Sequence, residues 1–67
     1  MSEIKYPNIT VELIDQDGNA FNLIGITAKA IRQNVGNDAA KEFLDEAMSM
    51  GSYDLLLAYI GRTVHVI

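Results

Sequence analysis

The stretch Asn19-Ala20-Phe21-Asn22-Leu23-Ile24-Gly25-Ile26-Thr27-Ala28-Lys29-Ala30-Ile31-Arg32-Gln33-Asn34-Val35-Gly36 decides the fold, because it can be read in two ways. As the second arm of a hairpin turning at Asp17-Gly18 it would have to alternate between apolar and polar residues. Phe21-Asn22-Leu23 does so only briefly, and Ala28-Lys29-Ala30 is poor strand material. As a helix, Phe21, Ile24, Ala28, Ile31 and Val35 recur at spacings of three and four and form one apolar stripe. Asn19 then serves as the N-cap and Gly36 as the left-handed stop. The periodicity selects the helix. Gly25 weakens it by roughly 1 kcal/mol relative to alanine, and close packing against a neighbour is the expected reason for it.

Upstream, residues 1–7 read as an arm ending at Pro7. Ile9, Val11 and Leu13 then alternate with Thr10 and Glu12, the period of a half-buried strand. Asp15-Gln16-Asp17-Gly18-Asn19 ends that strand in turn-forming residues. Downstream, Asn37 or Asp38 is expected to cap a second helix that buries Ala40, Phe43, Leu44 and Ala47. Met48 or Met50 fills gaps at its end, and Gly51 stops it. Ser52 caps a third helix, with Asp54 complementing the dipole in its first turn. Leu55, Leu56, Tyr59 and Ile60 form its apolar face, and Gly61 loosens its last turn. Val64-His65-Val66-Ile67 reads as a short strand. The expectation is one small α+β domain over residues 1–67, strand–helix–helix–helix–strand, with a two-stranded sheet from the chain ends packed on three helices. Such a ribbon is marginal alone and gains stability from helices.

Composition narrows the functional classes. The chain has 67 residues, 49% hydrophobic against 21% charged, which excludes intrinsic disorder as the default. A domain this small buries only about 60% of its unfolded surface, so its stability is marginal. It has no cysteine, which removes disulfides and thiolate metal sites. No segment reaches the ~20 apolar residues of a membrane span. Met1–Pro7 lacks the basic start and apolar run of a signal peptide, so a cytoplasmic location is expected. Nine acids against five bases give a net charge of −4, which disfavours a phosphate backbone as partner.

Each candidate constellation has a plainer reading. Asp15, Asp17 and Asn19 alternate like calcium ligands, but that loop needs glycine at its sixth position and glutamate at its twelfth. Those positions hold Ala20 and Ile26, so a turn and a cap are expected instead. His65 shares a strand face with Thr63 in this reading, but it lacks the partners of a nucleophilic relay or a zinc site. Glu42, Asp45 and Glu46 flank an apolar helix face and read as solvated charge. Lys29 and Arg32, three residues apart, could grip an acidic partner or a phosphate and read as ordinary surface charge. Tyr59 is assigned to core packing, while Tyr53 is expected to be exposed. No catalytic, cofactor-binding or metal-ligating residue is therefore assigned.

Tyr6-Pro7, Thr10-Val11-Glu12-Leu13, Gln16-Asp17-Gly18-Asn19-Ala20-Phe21 and Ser52-Tyr53-Asp54-Leu55-Leu56 together resemble a set of short bacterial and phage-type proteins. The resemblance runs over nearly the whole chain. Members of the set carry more arginine on the first helix and a tryptophan near the position of Thr63. The resemblance implies the same layout of elements and attaches no activity to it.

The functional expectation is a small acidic interaction or regulatory module, non-enzymatic, that binds another protein or a second copy of itself as a homodimer. It requires no cofactor, membrane or nucleic acid. The alternative is a ligand-binding or enzymatic site that forms only in a homo-oligomer, lined by His65, Asp17 or Arg62. A contiguous apolar or acidic surface patch would favour the first, and a deep interfacial pocket the second.

Overall fold

The computed structural model describes residues 3–13 and 18–67. Its elements are β1 (Tyr6–Val11), α1 (Ala20–Asn34), α2 (Asn37–Met48), α3 (Tyr53–Thr63) and β2 (Val64–Val66). This is the expected order, an α+β domain with a two-stranded sheet on three helices. The strands are parallel, as they can be because the three helices supply the long crossover that parallel neighbours need.

β1 starts at Tyr6 and so takes in Pro7, which the sequence reading left in the arm. Its register explains how. Tyr6 pairs with Val64 and Thr10 with His65, so the intervening residues of β1 have no one-to-one partners. Proline is tolerated at such an irregularity because no ladder hydrogen bond is demanded of it. Ile9 and Val11 point into the core while Thr10 faces out. The ladder is extended by Lys5 N–H donating to the Arg62 carbonyl and Leu13 N–H to the Ile67 carbonyl, both at 2.9 Å.

α1 is capped as expected, with Asn19 Oδ1 accepting from Phe21 N–H at 2.9 Å. Gly36 adopts φ of +140°, open only to glycine at little strain. Gly36 also occupies the N-cap position of α2, so neither Asn37 nor Asp38 caps that helix through its side chain. The turn between α1 and α2 is too short to give either one the extended backbone of a cap. Ser52 caps α3, its Oγ accepting from Leu55 N–H at 3.2 Å. Gly61 does not loosen the last turn: α3 continues to Thr63 and passes directly into β2. Thr63 therefore belongs to a helix and shares no strand face with His65.

The core joins Ile9 and Val11 to Leu23, Ile24, Ala28 and Ile31 of α1, Ala40, Phe43 and Ala47 of α2, Leu56 and Ile60 of α3, and Val64 of β2. Two threonines are buried with them. Thr27 Oγ1 donates to the Leu23 carbonyl at 2.9 Å and Thr63 Oγ1 to the Tyr59 carbonyl at 2.7 Å. This back-bonding lets a helical hydroxyl enter an apolar interior without an unmet hydrogen bond. A Cβ added at Gly25 would meet nothing within 4 Å, so close packing is not the reason for that glycine. No described helix is long and apolar enough to cross a membrane.

Candidate functional site

The apolar stripe of α1 is not buried along its whole length. The buried face is Leu23, Ile24, Thr27, Ala28 and Ile31. With a 3.6-residue period, Phe21 lies about a quarter-turn from the centre of that face, and it is 70% exposed. Val35, at the other end, is the C-cap; its N–H still donates to the Ile31 carbonyl at 2.7 Å, but its side chain is about half exposed. Phe21 and Val35 belong to the apolar stripe read from the sequence, yet both are exposed.

Phe21 stands on the wall of a groove where three helix ends converge. The first turn and a half of α1 contributes Ala20, Phe21 and Ile24, the end of α2 contributes Ala47 and Met48, and the turn beyond it contributes Met50, Gly51 and Ser52. Tyr53 and Leu56 of α3 complete the lining, and the volume is about 250 Å³. Among the described residues no charged side chain lines it. Met48, expected as a gap-filler, is 57% exposed, while Met50 is half-buried against the core. Tyr53 is exposed on its ring, as expected, yet its hydroxyl donates to the Gly18 carbonyl at 2.6 Å. That bond ties the segment preceding α1 to the first turn of α3 and holds the groove's two sides together.

A second depression is lined by Glu3, Lys5, Glu42, Glu46, Met50, Tyr59, Arg62 and Thr63. Lys5 Nζ donates to Glu42 Oε1 at 3.0 Å, and both side chains are more than half exposed, so the pair contributes little to stability. That hydrogen bond raises the Lys5 ammonium above its ordinary pKa. Burial, followed by the nearby Glu46 charge, pushes the Tyr59 phenol up as well. Its ring stacks on Phe43 with centroids 5.4 Å apart, in keeping with its assignment to packing.

The other candidates are dispersed. His65 is exposed on β2 opposite Thr10, outside both depressions, whereas Arg62 borders the second. Asp15 and Asp17 lie outside the described residues. Asn19 is committed to its cap. Glu42, Asp45 and Glu46 are all exposed, as are Lys29 and Arg32, which border a further depression of about 260 Å³ with Gly25, Ala28, Ala40 and Leu44. Among the described residues no group of three or more His, Asp or Glu side chains is placed to hold a metal ion.

The groove was missed because apolar periodicity was taken to mean burial. The run Leu55-Leu56-Leu57 spans too wide an arc of a helix for all three to face one core, but Leu55 and Leu57 do not line the groove, so the run does not announce it. Leu56 is buried, and Leu55, assigned to the interior, is 55% exposed. Comparison with known proteins gives no match to a family model, a curated protein or a solved structure.

Proposed function

We propose that the protein is a non-enzymatic interaction module that docks a segment of another protein in the groove between its three helix ends. The exposed Phe21 beside that groove carries the reading. Full burial of such a side chain is worth roughly 1.5–3 kcal/mol. That is a large fraction of the stability available to so small a domain. A phenylalanine left in water on an apolar wall gains that energy when a partner covers it. The volume suits this use. Small-molecule sites usually enclose about 300–1,000 Å³, but a cavity of ~150 Å³ already holds a benzene ring. A groove of 250 Å³ accepts an apolar anchor side chain from a protein partner. The net charge of −4 favours a protein over a nucleic acid.

Site-specific photocrosslinking in cells tests the reading. A photoreactive residue replaces Met48 in one variant and Gln33, exposed on α1, in another. Discrete adducts from position 48, absent from position 33 and lost when Phe21→Ser is added, are expected. Equal adducts from both positions, or adducts that survive Phe21→Ser, would show that the groove is not the docking face.

A further inference from the structure

We infer that the occupant of the groove is a basic amphipathic segment, one that inserts an apolar anchor and places lysine or arginine beside it. This rests on the docking reading above and adds the chemistry of the partner. The helix ends and the turn that build the groove carry charge of only one sign, the bases Lys29, Arg32, Lys41 and Arg62 lying further along their helices. Residues 20–27 of α1 and the 49–52 turn have none, the end of α2 has Asp45 and Glu46, of which Glu46 borders the second depression, and the start of α3 has Asp54. Asp45 sits three residues before Met48 and so neighbours it on the helix surface. All three carboxylates are exposed, and the ion pair found among the described residues, Lys5–Glu42, involves none of them.

The backbone adds to this bias at one of the three helix ends, the C-terminus of α2. A helix C-terminus carries about half a negative charge and is normally offset by a base in its last turn. The last turn of α2 has no base and adds two acids. The N-termini of α1 and α3 keep their partial positive charge, since the Asn19 and Ser52 caps each accept from one N–H, of Phe21 and of Leu55, and Asp54 sits in the first turn of α3. A cation from a partner is therefore favoured at the end of α2, where Asp45 and the last carbonyls have no base beside them, and not at the two N-termini across the groove. A second copy of this chain fits poorly. A two-fold contact would set the same acidic rim against itself, with a net charge of −4 on each side.

The test uses the full chain and three labelled synthetic helical peptides with one shared leucine–phenylalanine face and lysine, glutamine or glutamate on the other. Binding is followed by fluorescence anisotropy, alongside light scattering of the protein alone. The lysine peptide is expected to bind at least about tenfold more tightly than the glutamate peptide. Its advantage over the glutamine peptide should shrink as salt rises from 50 to 500 mM. Phe21→Ser should weaken it by at least about tenfold with the circular dichroism spectrum unchanged. Asp45→Asn with Asp54→Asn should remove most of the preference for lysine over glutamine. Equal binding of all three peptides, still lost in Phe21→Ser, would overturn the basic partner and leave the docking groove standing. Lysine-peptide binding indifferent to Phe21→Ser would overturn both, as would no binding by any peptide. A dimer dissolved by Phe21→Ser would make a second copy the occupant and overturn the basic segment.

Discussion

Two regions of this small molecule treat side chains in opposite ways. Around Ile31, Ile60 and Val64 the packing is closed tightly enough to take in the hydroxyl of Thr27, with all four side chains essentially inaccessible. Where the three helix ends meet, Phe21 and Met48 remain largely in water. The difference does not follow hydrophobicity, since a threonine is inside and a phenylalanine outside. Thr27 enters because its own helix supplies an acceptor one turn back. Phe21 stays out because the chain that could cover it ends at Met48 and turns away through Ser49–Ser52. In a domain with little stability to spare, the closed region supplies the fold, and the open one is the surface proposed for a partner.

That contrast can be tested from its strongest side first. Ile31→Ala should destabilise by about 2–5 kcal/mol, comparable to the whole stability expected of such a domain. Urea titration should find the variant largely unfolded, and a loss below about 1 kcal/mol would break the comparison. Gly36→Ala places a side chain at φ +140° and ψ 173°, a region nearly restricted to glycine, and should cost about 1–3 kcal/mol. Gly25→Ala is the reverse case, in open space and in the middle of a helix, and should stabilise by about 0.5–1 kcal/mol in the same titration.

Alkali probes the second depression, which Lys5 and Tyr59 line at the border of the closed region. The folded-state pKa values of Lys5 and Tyr59 are both raised, so their contributions are intact below the ordinary values of 10.5 and 10.0. They are lost as pH rises through the higher folded values. Thermal melts should be insensitive to these groups up to about pH 10 and fall above it, less steeply in Tyr59→Phe. The smallest effect belongs to the open side. Phe21→Ser should change stability by no more than about 0.5 kcal/mol, as an exposed substitution does. A loss above 2 kcal/mol would mean that Phe21 belongs to the core after all.

Much of the fold was legible because local chemistry dictates it. Asn19 and Ser52 have cap side chains, Gly36 sits where a positive φ is needed, and Ile9 and Val11 alternate as a one-sided strand must. The parallel pairing was not legible, because it depends on where three helices deliver the chain. The cap of α2 was misread because Asn37 and Asp38 are good capping residues placed one and two positions too late, after a turn that Gly36 alone can make. The groove was the least legible feature of all. It exists only because three helices stop at certain heights relative to one another, and the period that marks an apolar stripe is silent about how far a neighbour extends to cover it.

The junction at Val64 has a mechanical consequence. α3 begins at Tyr53 on the groove and ends at Thr63, and β2 follows at the next residue with no loop between them. An 11-residue helix is a strut of about 16 Å, here joined at its far end to a strand that is itself hydrogen-bonded to β1. A force applied to Tyr53 has no slack segment in which to dissipate, so groove and sheet behave as the two ends of one lever.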